Sequence, residues 1–328
     1  MARTTGSDGT YNDYGIALAS KMQMQLRQPQ SDVTSLLCNE DFEGDFFRVG
    51  DTVKITKPDV STITISDGAK SCDRPELDEL DFDSDTMKID RAMKYGFQVC
   101  DITEAEGRWN YVSASLDIAT QKMRQTHNLR TIDIILKDTT IAATSTALGL
   151  GSKAAPITLT PETVYSKAAL GAFLQLRTKG AIGADGKYTY GSNPEQPKRT
   201  AATMFVPQEG MQLLLTSPFV TDRPTVAADE AIRTGGYKEI LGLGIEFEPA
   251  LSKASKEHAP ELDTAAKGVF AIVVGTADTV TRASKVLKPD TFRDPEKYAD
   301  DYYGLEIYGE KVVSPDSCVV IWAKLATE

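Results

Sequence analysis

Histidine, cysteine and long apolar runs are scarce in this chain, and each scarcity excludes a class of protein. The 328 residues include two histidines and four cysteines. Cys38, Cys72, Cys100 and Cys318 show no CxxC spacing, so no disulfide framework is predicted, and a reducing compartment is the plain interpretation. A metal site of histidine and cysteine ligands would have little to assemble from.

Apolar segments are short. The run Val269–Val274 has six residues, the length of a strand, whereas a helix that spans a bilayer needs roughly 20. Residues 1–20 contain no apolar core of the kind found in signal peptides. The composition, 41% apolar and 25% charged, is that of a globular protein. We therefore expect no membrane contact.

Catalytic motifs are also missing. His127 falls on a predicted helix and His258 in a polar loop, so a triad built on histidine is not indicated. The segment Gly149–Ala154 fits a relaxed dinucleotide template, but it follows a helix where the template requires a strand. We expect no enzyme activity and no cofactor.

Charge is unevenly distributed. The formal net charge is −11, from 47 acidic and 36 basic residues. Residues 40–106 contain 18 acidic and 8 basic side chains, whereas residues 107–328 are nearly balanced. The densest part, Asp73–Asp90, is interpreted as a solvated loop or as one that meets a basic surface on another subunit. A general clamp for DNA needs the opposite sign of charge.

Calcium binding is the sharper interpretation of this acidic stretch. Asp81, Asp83 and Asp85 match the first acidic positions of an EF-hand loop. Thr86 then stands where the turn glycine belongs, and Ala92 where the bidentate glutamate belongs. No metal site is predicted.

The first hundred residues predict an arm followed by a long β loop. Residues 1–40 are polar and weakly patterned, as in an arm that a partner orders. Alternating apolar residues predict strands over Gly50–Pro58, Val60–Ser66 and Lys94–Ile102, and the acidic segment links the second and third.

A long helix follows. An apolar stripe at helical spacing comprises Ile102, Ala105, Trp109, Val112, Leu116, Ala119 and Met123. The pattern loosens near Thr126–His127 and resumes through Leu136, so about 35 residues would form a helix on the order of 50 Å long. A coiled coil is the weaker alternative, because alanine occupies two of the seven positions.

The remaining residues mix both kinds of element. We predict a turn over Ala147–Thr160, a helix beginning at Thr160–Pro161 and a hairpin turn at Asp185–Gly186. A strand followed by a helix, a strand–glycine–strand unit, a buried strand and a strand-rich tail follow, over Thr203–Leu215, Glu239–Pro249, Gly268–Gly275 and Gly304–Lys324. Without strict βαβ alternation, this order favours an α+β fold.

Five segments, in this order, resemble the major capsid proteins of tailed bacteriophages with the Hong Kong 97 fold. The segments are Phe46–Pro58, Met87–Glu106, Phe205–Leu215, Gly235–Leu251 and Phe292–Ala323. The last is the most telling, with its closing glycine–aliphatic–tyrosine–glycine strand and the turn after it. The resemblance runs from about Glu43 to the C-terminus and rests on the order of the segments.

The resemblance implies a division of the chain. Residues 1–42 would form an N-terminal arm, 43–102 an extended β loop, and 103–145 the spine helix of a peripheral domain. Residues 146–290 would form an axial domain, and 291–328 the C-terminal strands of the peripheral domain.

The resemblance also implies a function. The chain would assemble through hexamers and pentamers into an icosahedral head around double-stranded DNA, which it would contact only non-specifically. It would be a virion component assembled in the host cytoplasm, with portal and scaffolding proteins as partners. Some relatives join subunits by a lysine–asparagine bond, but the last asparagine here is Asn193, so we do not expect that bond.

Contacts between subunits are predicted at the acidic loop and at basic residues that would receive it. The candidates are Asp73, Glu76, Asp78, Glu79, Asp81, Asp83, Asp85, Lys285, Lys288 and Arg293. Alternatives to a phage capsid are an encapsulin-like compartment shell, a tail or baseplate protein, and a soluble enzyme.

The stripe on the long helix makes a testable prediction. Trp109→Asp places a charge in the apolar face, which costs several kcal/mol. We expect the variant to unfold, as measured by its melting curve. An unchanged curve would mean that Trp109 does not lie on the buried face.

Overall fold

Helices and strands follow one another without regular alternation, as the sequence predicts. A computed structural model describes residues 33–40, 48–58, 82–101, 111–178, 202–218, 239–252, 268–287 and 290–326. Trp109, His258 and the segments predicted at Val60–Ser66 and Asp185–Gly186 lie outside these ranges.

A five-stranded sheet is organised around one long strand, β12 (Ala299–Val312). Fourteen residues at strand spacing measure about 46 Å. One edge of β12 pairs with β4. The other edge pairs with β11 over residues 299–303 and with β10 over residues 306–312. These three pairings are antiparallel, and β1 pairs parallel with β10. The four partners are β1 (Cys38–Asn39), β4 (Arg91–Cys100), β10 (Val280–Val286) and β11 (Asp290–Asp294).

A six-stranded sheet has the order β5-β13-β9-β6-β8-β7. These strands are β5 (Ile157–Leu159), β6 (Thr203–Val206), β7 (Glu239–Ile240), β8 (Leu243–Phe247), β9 (Val269–Gly275) and β13 (Cys318–Leu325). Every residue of β9 is buried, because its alternate side chains enter two separate cores: Phe270, Ile272 and Val274 pack in one, and Val269, Ala271 and Val273 in the other. The sheet is covered on both faces, which explains the uninterrupted apolar run.

The helices cover these sheets. They are α1 (Val33–Leu37), α2 (Tyr111–Lys137), α3 (Thr139–Ala147), α4 (Leu170–Thr178), which continues a π-helix over Val164–Ala169, and α5 (Gln208–Leu215). Short 3-10 turns occupy Pro249–Leu251 and Pro315–Ser317. No helix in the described ranges has the length and apolar character needed to cross a bilayer.

The long helix agrees with the prediction at its centre and differs at its end. Helix α2 continues through Thr126–His127, where the apolar pattern loosens, because polar side chains make its contacts there. It ends at Lys137, and a second helix begins at once. Asp138 is extended, and its Oδ1 accepts hydrogen bonds from the backbone N–H groups of Thr140 (2.9 Å) and Ile141 (3.0 Å). The sequence analysis missed this cap.

Several other predicted elements lie where the patterns place them, one is shifted, and the turn predicted over Ala147–Thr160 contains strand β5. The strand and helix over Thr203–Leu215, the two strands within Glu239–Pro249 and the buried strand ending at Gly275 are confirmed. The helix expected from Thr160–Pro161 begins only at Val164, as a π-helix, after a turn in which the Thr163 hydroxyl bonds the Thr160 backbone N–H.

The cap at Asp138 makes a prediction. Asp138→Ala leaves two N–H groups of the first turn of α3 unsatisfied, so the free energy of unfolding should fall by about 1 kcal/mol. Urea denaturation measures this, with Asp138→Asn as the control, because an asparagine side chain also caps. An equal loss in both variants would contradict the capping role.

Candidate functional site

The base of the predicted β loop and helix α2 contact opposite faces of strand β12. Its side chains alternate between two faces, as in any strand. On one face, Ile307, Gly309 and Lys311 contact the base of the predicted β loop. On the other, Glu306 and Tyr308 contact helix α2. The candidate site is therefore a junction rather than a cleft.

The base of the β loop is a two-stranded ribbon, which we call the loop root. Strand β2 (Thr52–Pro58) pairs antiparallel with β3 (Phe82–Lys88), from Thr52 opposite Lys88 to Pro58 opposite Phe82. Its apolar side chains pack on the five-stranded sheet in a cluster that contains Val53, Ile55, Met87, Ile89, Ala283, Ile307 and Val313. The ribbon is thus anchored at its base, while the intervening residues 59–81 lie outside the described ranges.

Gly309 lets the loop root approach β12 closely. A Cβ atom at this position would lie 2.6 Å from the carbonyl oxygen of Lys88 and 3.1 Å from Cα of Ile89. Both are backbone atoms, which cannot move aside as the end of a side chain can. The glycine is therefore required by the crossing of the two segments.

Lys311 adds a polar contact beside this crossing. Its Nζ donates to the backbone carbonyl of Thr86 at 3.0 Å and forms an ion pair with the carboxylate of Asp85. The two side chains are 36% exposed, so the pair contributes about 0–1 kcal/mol. Its main effect is to fix how the root lies on the strand.

The opposite face of β12 contains a group of buried charged residues, which we call the ionic cluster. Glu306 Oε2 lies 2.8 Å from His127 Nε2 of α2, and Glu306 Oε1 accepts from Arg282 of β10 at 3.0 Å. The three side chains are at most 5% exposed. Tyr308 packs edge-to-face on the His127 ring at a centroid distance of 4.8 Å. Glu310 completes the cluster, with Oε1 at 3.8 Å from Arg282 Nε.

Burial and pairing set the charges in this cluster. Burial lowers the pKa of His127, and the charge of Arg282 lowers it further, despite the opposing bond to Glu306. Burial would raise the pKa of Glu306, but the hydrogen bond from His127 and the charge of Arg282 hold it below its ordinary value. Burial raises the pKa of Glu310 against the opposing charges of Arg282, Arg91 and Arg130, and its contact with Arg282 is too long for a hydrogen bond. The cluster therefore favours the ion pair of Arg282 with Glu306 and disfavours the charged forms of His127 and Glu310.

Residues 33–40, which we call the arm root, are fixed to the same region. The backbone N–H and the hydroxyl of Thr34 donate to Asn128 Oδ1 of α2 at 3.2 and 2.8 Å. Cys38 Sγ lies 3.9 Å from the hydroxyl of Thr131, one helical turn further on. The end of the predicted arm thus packs beside the ionic cluster.

The described cysteines are free thiols. Cys38 and Cys318 are buried, and Cys100 is exposed. Burial raises the pKa of Cys318 to about 12 and raises that of Cys38 as well. Neither buried thiol is activated as a nucleophile. Among the residues that the structure describes, no three histidine, cysteine or acidic side chains group as a metal ion would require.

The far end of β12 carries a second polar contact and an exposed aromatic group. Arg293 of β11 donates to Asp101 at 2.6 Å and to Asp300 at 3.1 Å, which ties together β11, β12 and the end of β4. Phe292, Tyr298 and Tyr303 lie near this contact and are more than half exposed. These exposed rings lie among exposed charged residues, which include Arg293, Glu296 and Lys297.

The predicted subunit-contact residues are only partly described. Asp85 lies in the loop root with Lys311, Lys285 is half-buried on β10, and Arg293 bonds two aspartates of its own chain. Asp83 lies on β3, and its side chain is outside the description. Asp73, Glu76, Asp78, Glu79, Asp81 and Lys288 also lie outside the described ranges. The contacts they would make with another subunit stay predictions.

The residues that form the junction are not apparent from the sequence pattern. Glu306, Tyr308 and Glu310 alternate with apolar residues, which is the pattern of a strand with one solvated face. Because α2 covers that face, the pattern indicates the wrong environment. The sequence contains one indication of this contact: His127 lies on the long helix where the apolar stripe loosens.

The crossing at Gly309 makes a prediction. Gly309→Ala should lower the free energy of unfolding by about 1–3 kcal/mol, because the new methyl group overlaps backbone atoms. Gly244→Ala is the matched control in another strand, since its Cβ would meet only the Thr203 side chain, with Oγ1 at 3.6 Å and Cγ2 at 3.9 Å, both ordinary contact distances. Urea denaturation of both variants measures the difference. Equal stabilities would show that the loop root does not depend on close approach at Gly309.

Solved structures of phage proteins share this architecture. A chain of Mycobacterium phage Che8 is 17% identical, with a TM-score of 0.56 over 88% of this chain and 90% of that one. The capsid of Ralstonia phage GP4 gives 13% identity and a TM-score of 0.58, over 93% and 91% of the two chains. The capsid of cyanophage Pam1 gives 13% identity and a TM-score of 0.53, over 90% of each.

Sequence comparison adds nothing to this: no protein-family model and no curated protein matches the chain. At such low identity the structural likeness shows a common fold. The chain therefore has the α+β fold of these phage chains, two of which are described as capsids, and the predicted fold class is confirmed.

Proposed function

We propose that this chain is the major capsid protein of a tailed bacteriophage. It assembles with copies of itself, through hexamers and pentamers, into an icosahedral head that encloses double-stranded DNA. The observation that carries this proposal is the shared fold with phage capsid chains over about 90% of both chains. Its role is structural, with no catalytic step.

The loop root supports this function because of how it is built. An apolar cluster and Lys311 hold the base of this ribbon on the subunit body, so contacts that a neighbouring copy makes with the loop would be anchored there. Identical subunits that contact one another through different surfaces close into rings, and rings of five and six build a closed shell. Many simultaneous contacts of this kind give a stable assembly even when each is weak.

The five segments expected from the sequence fit this function. Residues 1–42 act as the arm, 43–102 as the extended loop, 103–145 and 291–328 as the peripheral domain, and 146–290 as the axial domain. In this proposal the acidic residues of the loop meet basic residues of a neighbouring copy. Lys285 and Lys288 remain candidates, while Arg293 already bonds Asp101 and Asp300 within its own chain.

The charge distribution suits a container for DNA. The net charge of −11 disfavours tight binding to phosphates, so contacts with the packaged genome are weak and non-specific. Portal and scaffolding proteins are the other expected partners. The protein belongs to the virion and assembles in the host cytoplasm.

Removing the end of the loop tests the proposal. We expect replacement of residues 60–80 by a short glycine–serine linker to leave a folded subunit, because the loop root and both sheets are retained. Electron microscopy of the protein co-expressed with its scaffolding protein should show closed shells for the unmodified chain and none for the variant. Normal shells from the variant would contradict the role of the loop.

A second variant separates charge from length. It keeps the loop intact and replaces the acids with their amides, at Asp73, Glu76, Asp78, Glu79 and Asp81. Loss of shells here indicates ionic contacts, whereas normal shells indicate that the loop acts through its shape. Nuclease-resistant DNA inside purified particles distinguishes a phage head from a compartment with protein cargo.

A further inference from the structure

The ionic cluster joins parts of the chain that are far apart in sequence. His127 comes from α2, Arg282 from β10, and Glu306, Tyr308 and Glu310 from β12, and Arg130 of α2 lies beside the cluster over the Tyr308 ring. The two large cores are apolar. The long helix meets the five-stranded sheet through an apolar cluster with Leu116 and Met123 and, beside it, through polar contacts whose strength depends on protonation.

His127 is held in a way that makes its charged form unfavourable. Its Nε2 bonds Glu306, while its buried Nδ1 has no hydrogen-bond partner among the described residues. A proton added at Nδ1 would give a buried N–H group with nothing to accept it. It would also place a positive charge near Arg282 and Arg130, both of which oppose it.

Glu310 is also held in its neutral form, which for a carboxyl group is the protonated one. Neither of its side-chain oxygens has a hydrogen-bond partner in the described part of the chain, and neither does the nearby Arg282 Nε. The side chain is fully buried. An ionised carboxylate there would lack the hydrogen bonds that a buried charge requires. Losing its proton is therefore costly, as gaining one is for His127.

The charged and titratable groups facing the cluster come from every element packed around it. They are Cys38 and Glu40 from the arm root, Arg91 from β4, His127 and Arg130 from α2, Arg282 from β10, and Glu306, Tyr308 and Glu310 from β12. Arg130 and Arg282 also lie over the Tyr308 ring, 5.9 and 5.7 Å from its centre.

We propose that the ionic cluster is a pH-sensitive joint between the long helix and the five-stranded sheet. With His127 neutral and Glu310 protonated, the helix is held firmly. Charging either group weakens the contact, His127 as the pH falls and Glu310 as the pH rises. This inference concerns the folded chain itself and stands whether or not the proposed function is correct.

On the acid side, the test uses His127→Gln, whose amide donates to Glu306 but does not titrate. In the unfolded chain histidine keeps its ordinary pKa of 6.5, above the lowered folded value, so stability falls as the pH drops below 6.5. Between pH 6.5 and about 5.5, the folding equilibrium constant of the wild type should fall several-fold relative to that of His127→Gln, with about tenfold as the ceiling.

On the alkaline side, the test uses Glu310→Gln. The unfolded carboxyl titrates near 4.5, below the raised folded value, so wild-type stability is lost as the pH rises through that folded value. The equilibrium constant of Glu310→Gln should therefore rise several-fold relative to wild type as the pH increases from 4.5. Glu296→Gln, the same change at an exposed turn, is the control and should run parallel to wild type.

Hydrogen exchange locates the effect. After correction for intrinsic rates, acidification should speed amide exchange in α2 near His127 and in β12, and leave β9 unchanged. The same exchange pattern in His127→Gln as in wild type would overturn the acid limb. Parallel stability curves for Glu310→Gln and wild type would overturn the alkaline limb.

A direct titration does not require altering the cluster. His258→Gln leaves His127 as the only histidine in the chain, so a single imidazole resonance reports its protonation. Titration clearly below pH 6.5 supports the proposal. A midpoint at or above 6.5 overturns it, even if neither cluster variant folds.

Discussion

The structure depends on the buried carboxylate of Glu306. Its two oxygens accept bonds from different elements, His127 of the long helix and Arg282 of β10, and no water is needed to satisfy them. Removing one partner of a buried ion pair leaves an uncompensated charge and costs roughly 3–5 kcal/mol. These bonds are directional, so they form in one arrangement only. They fix the position of α2 on the sheet together with an apolar cluster in which Leu116 and Met123 of α2 pack with Met93, Tyr95 and Val286.

Strand β12 positions the loop root as well as the helix, because the two contact its opposite faces. The face that carries Glu306 holds the helix, and the reverse face, through Ile307, Gly309 and Lys311, holds the loop root. The arm root joins the same region through Thr34 and Asn128 of α2. The loop and the arm, which we propose to bind neighbouring copies, are thus both fixed to the region around β12 and α2. The six-stranded sheet contributes differently, since its two covered faces form the apolar body of the subunit.

Sequence patterns recovered several of the elements and missed others, such as β5, β10 and β11, and most contacts between elements, for physical reasons. The buried strand β9 and the helix following Pro207 were readable because burial imposes a periodicity on a single segment. The cap at Asp138 was local, yet the apolar residues on both sides concealed it. Glu306 and Glu310 were unreadable, because an acidic residue facing a helix and one facing solvent produce the same alternation. The need for glycine at position 309 could not be predicted from the sequence, because it arises where Lys88, more than 200 positions away, crosses the strand.

The continuous length of β12 has a mechanical consequence. Neighbouring strands are hydrogen-bonded to both of its edges, which couples its two ends through one element. A change of tilt where the helix meets the strand therefore also displaces the opposite end, near the exposed rings of Phe292, Tyr298 and Tyr303.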